Sequence, residues 1–234
     1  TESYVINQVQ TTRGCPFDCD FCSVKAFSGN QYRIKKIEQT IKEIQSLSPT
    51  YDINIFGHKL KSPKTLLFAD DNLIGNKPYA KKFLEAIMPL KLTDWYCQSS
   101  INLGRDKEMI SMMKEAGCYS VIIGIESVMP ETIQSMDKKI NKVEDYRECI
   151  ANIQSAGIKV MPSFVVGSDT EDETIFEKTA TFIKDNNLVY PMINKATNQI
   201  RFVGPIQCNS VYCAGINFRD ELMPLTLKLL TNPV

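Results

Sequence analysis

The sequence predicts an α/β fold, in which parallel strands form a partial (β/α)6 barrel of the TIM type with helices on the outside. Short apolar segments alternate along the chain with amphipathic segments of helical period. The helical segments begin or end at capping residues, glycine or proline. Six such units in about 200 residues fall short of the eight units and ~250 residues of a complete barrel, which favours an open, partial one.

The first strand is followed by the first helix. VINQVQTT supplies the strand, and isoleucines spaced by three and four residues from Ile34 onwards form one face of an amphipathic helix that Pro49 closes. Residues 51–64 interrupt the pattern. They are predicted to be an insertion before the second strand.

The middle of the chain repeats a strand and a helix three times. The strands are LLFADDN, DWYCQSS and SVIIGIES. Asn76 is the predicted cap of the helix after the first of them. The next two helices, 106–116 and 142–156, each stop at a glycine, Gly117 or Gly157.

The last units complete the predicted sheet. KVMPSFVV is the fifth strand, and the pattern Thr170-x-x-Glu173 predicts a capping box that opens the following helix. YPMINKAT is the sixth strand. Residues 1–197 therefore form one predicted core domain, and residues 198–234 form a tail that contains a predicted helix.

Composition restricts the classes of partner and location. The 234 residues are 43% hydrophobic, enough for the core of one domain. Lys plus Arg and Asp plus Glu both number 27, so no nucleic-acid partner is evident. No apolar run approaches about 18 residues, and residues 1–14 lack a secretory signal. We expect a cytoplasmic protein without a membrane span.

Three of the eight cysteines, Cys15, Cys19 and Cys22, lie within eight residues after the first strand. Without a secretory signal, such spacing indicates metal binding or catalysis. A structural zinc site needs four ligands, yet there is no second CxxC pair, and the single His58 lies in the insertion. A 4Fe–4S cluster on three cysteines leaves one iron open for a ligand. Structural zinc and inert buried thiols are the alternatives.

The spacing CxxxCxxC, with the aromatic Phe21 before the third cysteine, resembles the cluster loop of the radical S-adenosylmethionine (SAM) superfamily. TTRGCPFDCDFC, FADDN, IGIES and FVVGSDTED together resemble the branch whose members commonly carry a cobalamin-binding domain before the radical domain. The match extends from about residue 4 to residue 197. It implies that the cofactors are a 4Fe–4S cluster and SAM, with cobalamin as a further option if a domain lies upstream of Thr1.

Polar residues follow the predicted strands at their carboxyl ends, where parallel barrels place active sites. These candidate cofactor-binding residues are Asp70, Asp71, Asn72, Gln98, Ser100, Glu126 and Gly167. Gln98 and Ser100 share a face of the third strand, which predicts a buried polar pair. In the fourth strand Gly124 leaves room beside Glu126.

The resemblance implies a role for several of these residues. The open iron would bind the amino and carboxylate groups of SAM. ADDN stands where many members have Gly-Gly-Glu, so the backbone and Asp70 or Asp71 would hold the amino group. Glu126 would bind the ribose hydroxyls. Phe21 and Gly167 would lie near the adenine.

Structural interpretations of some residues stay open. Asp70 and Asp71 also fit a helix cap or a solvated loop. Arg13 and Arg33 would either neutralise the cluster or form surface ion pairs.

The other cysteines have structural interpretations too. Those within predicted elements, Cys97, Cys118 and Cys149, are expected to be buried small hydrophobes. Cys208 and Cys213 in the tail are either part of an auxiliary cluster or inert.

The implied function is reductive cleavage of SAM to methionine and a 5′-deoxyadenosyl radical, which takes hydrogen from a substrate. With cobalamin, the expected outcome is methyl transfer to an unactivated carbon; without it, the enzyme would be an oxidoreductase or would catalyse a rearrangement. A non-catalytic iron–sulfur remnant or fragment is the third interpretation, because NKATNQIRFVGPIQ replaces the proline-glycine-threonine segment of related proteins. Flavodoxin or ferredoxin would supply the electron, and the substrate is unknown.

Overall fold

The computed structural model describes residues 6–29, 31–55 and 58–195. Its strands are β1 (Ile6–Val9), β2 (Thr12–Arg13), β3 (Arg33–Ile34), β4 (Thr50–Ile55), β5 (His58–Pro63), β6 (Thr65–Phe68), β7 (Trp95–Ser99), β8 (Cys118–Glu126), β9 (Lys159–Val166) and β10 (Met192–Lys195). Its α-helices are α1 (Ser23–Ser28), α2 (Ile37–Ser46), α3 (Lys77–Ile87), α4 (Lys107–Glu115), α5 (Pro130–Ser135), α6 (Tyr146–Ser155) and α7 (Thr174–Asp185).

Six of the strands form one curled parallel sheet in the order β1-β6-β7-β8-β9-β10. The sheet is a half-barrel with helices packed on its outside, so the predicted fold class is confirmed. Because all six strands run in the same direction, their carboxyl ends meet at one rim. That rim is where the predicted site residues lie.

The core fills the space between this sheet and the helices. Phe68 on β6 packs edge-to-face against Phe83 of α3 and against Trp95 of β7, with ring centroids 5.2 and 5.1 Å apart. All three side chains are fully buried. The Trp95 indole N–H donates to the Ala116 carbonyl at 2.7 Å, which satisfies its one polar group.

The predicted helix ends agree with the structure. The Asn76 side chain accepts a hydrogen bond from the Tyr79 N–H at 3.1 Å and caps α3. Gly117 and Gly157 follow α4 and α6 with φ angles of 93° and 75°, a region that glycine adopts without strain. The predicted insertion is an antiparallel hairpin, β4–β5, outside the main sheet, and the Lys64 N–H donates to the Pro49 carbonyl at its base at 2.8 Å.

Three predictions about helix starts were wrong. The first helix was expected to include Ile34, but Ile34 lies exposed in β3 and α2 begins at Ile37. The capping box Thr170-x-x-Glu173 does not form, because α7 begins only at Thr174 and the Asp172 carboxylate accepts the Thr174 N–H at 2.9 Å instead. The Thr170 hydroxyl hydrogen-bonds to that of Thr132 at 2.9 Å.

The helix predicted over 142–156 starts later than expected. A 3₁₀ turn, Val143–Asp145, precedes α6, and α5 is a further short helix that the sequence did not predict. The predicted tail helix, with Cys208 and Cys213, lies outside the described residues. No helix in the described part of the chain is long and apolar enough to cross a membrane.

Candidate functional site

The three cysteines predicted to bind a cluster lie in the loop between β2 and α1, at the carboxyl rim. Within it the Cys22 N–H donates to the Cys19 carbonyl at 3.1 Å, which brings two of the cysteines onto one turn. Together with Cys15, both are half-buried. The Asp20 N–H donates to the Met136 carbonyl at 3.3 Å and ties the loop to the end of α5.

Burial and nearby charges shift the pKa values of the three thiols in this loop. Burial raises the pKa of Cys15 and Cys22, and raises that of Cys19 to about 11. That value already includes the positive charge of Lys138, which lowers the pKa of all three thiols, and the charges of Cys22 and Cys15, which raise the pKa of Cys19. A metal that binds here must therefore displace protons from weakly acidic thiols.

The three cysteines of this loop are a donor set that iron–sulfur clusters use. Within residues 6–29, 31–55 and 58–195, no three His, Cys, Asp or Glu side chains converge at metal-binding distance. Cys15, Cys19 and Cys22 nevertheless lie half-buried in one loop, and cysteine thiolates are the ligands that such clusters require. A fourth cysteine does not come from Cys97, Cys118 or Cys149 because these are buried in core elements, as predicted.

Asp70 fixes the strand that leads into this loop. Its carboxylate accepts the N–H of Thr11 at 2.8 Å and the N–H of Thr12, and also both hydroxyls, at 3.1 and 3.0 Å. The side chain is 1% exposed. Burial raises the pKa of Asp70, whereas the hydrogen bonds from Thr12 lower it. Four donors in the chain itself therefore occupy the carboxylate that was expected to hold an amino group.

Asp71 and Asn72 lie closer to the cysteines. The Asp71 carboxylate accepts the Gly14 N–H at 2.8 Å, next to Cys15. A hydrogen bond from Asn72 lowers the pKa of Cys15, and the Asn72 amide also donates to the Ser100 hydroxyl at 3.1 Å. The buried Oδ1 of Asn72 has no partner among the described residues. An unpartnered buried acceptor beside a cysteine fits a bound donor group.

Glu126 ends β8 with a φ of 64°, an uncommon conformation for a residue with a side chain. Its carboxylate forms an ion pair with Lys138, whose ammonium also donates to the Gly124 carbonyl at 2.8 Å. A Cβ at position 124 would overlap Glu126 Oε1, so the glycine leaves the room that was predicted. The Lys138 Nζ lies 5.8 Å from the centroid of the Phe21 ring, which links Glu126 to the cysteine loop.

One expectation about β7 was wrong. Gln98 and Ser100 are not a buried pair, because Gln98 is exposed on the open inner face of the half-barrel while Ser100 is buried. Ser100 instead contacts Asn72 and donates to the Asn102 side chain at 2.6 Å.

The loop after β9 is held by a residue that sequence reasoning missed. Gly167 has a φ of 94°, and its N–H donates to the Glu171 carboxylate at 2.9 Å. The second oxygen of Glu171 accepts the Ser127 hydroxyl at 2.8 Å. Glu171 therefore joins the end of β8 to the loop that was expected near an adenine.

Lys138 and Asn141 were also missed. Asn141 donates to the carbonyls of Gly124 and Ile125 at 3.1 and 3.0 Å, and so supports the strand end that carries Glu126. Nothing distinguishes Lys138 from its neighbours in KKINK. For Glu171, a carboxylate shortly after a strand-ending glycine was a usable signal.

Comparison with known protein families gives a match over most of the chain. Residues 9–183 match the family model of the Radical SAM superfamily. The chain belongs to the radical SAM superfamily. General features of this superfamily are a 4Fe–4S cluster and the cleavage of SAM. Cysteine thiolates such as those of the loop are the ligands of such a cluster.

Several curated relatives are named for methyl transfer. Bacteriochlorophyllide d C-12(1)-methyltransferase of Chlorobaculum tepidum is 26% identical over 81% of this chain and 40% of its own length. Hopanoid C-2 methylase of Rhodopseudomonas palustris is 27% identical over 82% of this chain and 35% of its own length. The chain therefore spans well under half of the relatives that it matches.

Solved structures share the fold. TsrM from Kitasatospora setae, a radical SAM methyltransferase solved with cobalamin and a 4Fe–4S cluster, matches 81% of this chain and 34% of its own with a TM-score of 0.67 and 16% identity. The cobalamin-dependent radical enzyme OxsB, solved with aqua-cobalamin and SAM, matches 80% of this chain and 27% of its own with a TM-score of 0.59 and 15% identity.

Proposed function

We propose that this chain is the radical domain of an enzyme that cleaves SAM reductively. The observation that carries the proposal is the cysteine loop itself. Three half-buried thiols lie in one loop at the carboxyl rim, and Asp70 fixes the strand that leads into them. The family membership of residues 9–183 supports the same conclusion.

Each neighbouring residue has a part in the proposal. Cys15, Cys19 and Cys22 would hold a 4Fe–4S cluster that, when bound, supplies the electron that breaks a carbon–sulfur bond of SAM. Asp71 and the unpartnered Oδ1 of Asn72 would receive the amino group of SAM, since both lie beside Cys15.

The nucleoside would lie towards β8 and β9. Glu126 would accept hydrogen bonds from the ribose hydroxyls, and its ion pair with Lys138 holds the carboxylate in place. Phe21 and Gly167 would contact the adenine. Ser100 would position Asn72, and the exposed Gln98 would face the bound cofactor from the inner side of the sheet.

For the full-length protein we propose methyl transfer to an unactivated carbon with cobalamin as methyl carrier. Relatives named as methyltransferases and two cobalamin-binding structural neighbours support this outcome. The second candidate is a radical oxidoreductase or cyclase, since an anaerobic magnesium-protoporphyrin IX monomethyl ester cyclase of Cereibacter sphaeroides is 26% identical over 71% of this chain. Three free thiols in one loop favour a reducing compartment, the cytoplasm.

The test is anaerobic. The chain is reconstituted with iron and sulfide, reduced with dithionite and mixed with SAM, and 5′-deoxyadenosine is measured. We expect product from the wild type and from Cys149→Ala, a matched control outside the loop. We expect none from the triple variant Cys15→Ala, Cys19→Ala, Cys22→Ala. A wild-type chain that holds a cluster and yields no product would overturn the proposal in favour of a remnant.

A further inference from the structure

Two arginines face each other directly on a short ribbon beside the cysteine loop. In the antiparallel pair β2–β3, Arg13 is the register partner of Arg33. Like charges in directly opposed positions destabilise such a pair. The arrangement therefore costs stability unless an opposite charge compensates it.

Neither guanidinium has an acidic partner in the described part of the chain. Arg13 donates to the Gln10 side chain at 3.0 Å, and Arg33 donates to the Gln31 side chain at 3.2 Å. Both partners are neutral amides. Both arginines are exposed, so two full positive charges face solvent together.

Two of the other lysines near the ribbon are in ion pairs, whereas Lys36 is exposed and is in none of the ion pairs of the described residues. Lys25 forms an ion pair with Asp18, and Lys35 forms one with Glu43. Asp20 lies at the far end of the loop, where its N–H donates to the end of α5. The cations of this region that form no ion pair within the described residues are thus Arg13, Arg33 and Lys36.

An exposed aromatic side chain accompanies them. Phe27 in α1 is 61% exposed, although it is a large apolar residue. The end of α1 packs close to the ribbon, because a Cβ on Gly14 would lie 3.5 Å from Ser28 Cβ. Arginine and phenylalanine are both enriched in protein interfaces.

The patch is also close to the proposed cluster. Arg13 precedes Cys15 by two residues, so their Cα atoms are at most about 7 Å apart. Reduction of a cluster in this loop needs an electron from outside the chain. A donor that rests on the ribbon would approach the cluster ligands closely.

We propose that the surface formed by Arg13, Arg33 and Phe27 is the docking site of a small acidic electron-carrier protein. This inference rests on the proposed function. In the docked pair the carrier is oxidised by one electron, which the cluster accepts, and no bond or proton changes. A nucleic acid is a poorer fit, because phosphate binding uses an extended stripe of cations, whereas Lys25 and Lys35 are already paired here.

The test uses purified flavodoxin as the carrier and the cluster-loaded chain. The ribbon variant Arg13→Glu, Arg33→Glu is compared with Lys82→Glu, Lys107→Glu, which makes the same charge change at exposed positions on α3 and α4. Calorimetry gives the dissociation constant at about 50 mM and about 200 mM salt. The formation of 5′-deoxyadenosine is measured with reduced flavodoxin as the reductant and, separately, with dithionite.

We expect the ribbon variant to bind flavodoxin at least tenfold more weakly at low salt, with a smaller difference at high salt, because complementary charges steer association. Phe27→Ala should weaken binding equally at both salt concentrations. Product formation should fall with flavodoxin and stay unchanged with dithionite. The control variant should match the wild type in both assays.

Three results would overturn the docking site. One is unchanged flavodoxin binding by the ribbon variant, and another is an equal loss in the control variant. The third is an oligonucleotide that binds through the two arginines while flavodoxin does not. A wild-type chain that yields no product with dithionite would instead contradict the proposed function. Failure of the docking site and failure of the proposed function can therefore be distinguished.

Discussion

Asp70 shows how one side chain prepares a loop for a cofactor. Its buried carboxylate accepts two N–H groups and two hydroxyls from Thr11 and Thr12. These residues lead from β1 directly into the cysteine loop. Asp70 thus positions the strand that leads into the loop, and Asp71 and Asn72 are the polar neighbours of Cys15.

Replacing Asp70 should loosen this connection. We expect Asp70→Asn to lower the free energy of unfolding of the metal-free chain by about 1.5–3 kcal/mol, because an amide cannot accept all four hydrogen bonds. Urea denaturation measures the change. Glu85→Gln, which neutralises an exposed carboxylate on α3, is the control and should leave the midpoint unchanged. Equal midpoints for both variants would show that Asp70 is dispensable.

The reactivity of Cys19 should depend steeply on pH. Its raised pKa, about 11, means that little thiolate is present at pH 8 in the metal-free chain. Only the thiolate reacts with iodoacetamide. The alkylation rate, mapped by mass spectrometry, should therefore rise about tenfold per pH unit from pH 8 towards the pKa.

A variant of Lys138 tests the cause of this pH dependence. Its charge lowers the pKa of Cys19, so Lys138→Met should shift the alkylation profile to still higher pH. A wild-type profile that levels off near the ordinary thiol pKa of about 8.5 would contradict this description of the loop.

At the scale of residues, the sequence identified candidate site residues where a local pattern distinguishes them. The three cysteines were identified by spacing, and Glu126 by its place at the end of an apolar strand. Lys138 and Asn141 could not be found in this way. Their roles depend on how the segment after α5 folds back onto Gly124 and Glu126, and this return leaves no local pattern.

At the scale of elements, the long helices and the buried strands were predictable because their signals are local. Asn76, Gly117 and Gly157 mark helix ends in the sequence as they do in the structure. The start of α7 was misplaced because Asp172, not Thr170, provides the side-chain oxygen. The six-residue α5 was missed because it is too short to show a helical period.

Gly104 tests the packing between elements. It lies in the 3₁₀ turn Ile101–Arg105, and a Cβ there would overlap the Cα, the Cβ and the carbonyl oxygen of Cys149 on α6. Backbone atoms cannot yield as a side chain can. We expect Gly104→Ala to destabilise the chain by about 1–3 kcal/mol, measured by urea denaturation.

Ala151→Ser, at an exposed position of the same helix, is the control for Gly104→Ala and should stay close to the wild type. If Gly104→Ala also matched the wild type, the close contact between the turn and α6 would be refuted.

At the scale of the whole molecule, the half-barrel concentrates polar groups at one rim and leaves the sheet open between its edge strands β1 and β10. The radical site can be assembled within the described residues, because every proposed SAM contact comes from β6, β7, β8 or β9 or from the loops that follow β2 and these strands. The relatives are more than twice as long as the matched segment. Cobalamin and substrate are therefore proposed for the full-length protein.

The central claim is that three cysteines hold a cluster whose remaining iron is open to SAM. Mössbauer spectroscopy of the chain reconstituted with labelled iron, with and without SAM, tests it most directly. We predict about four irons per chain, one of them distinct from the other three and altered when SAM is added. Four equivalent irons that do not respond to SAM, or zinc retained in place of iron, would contradict the account.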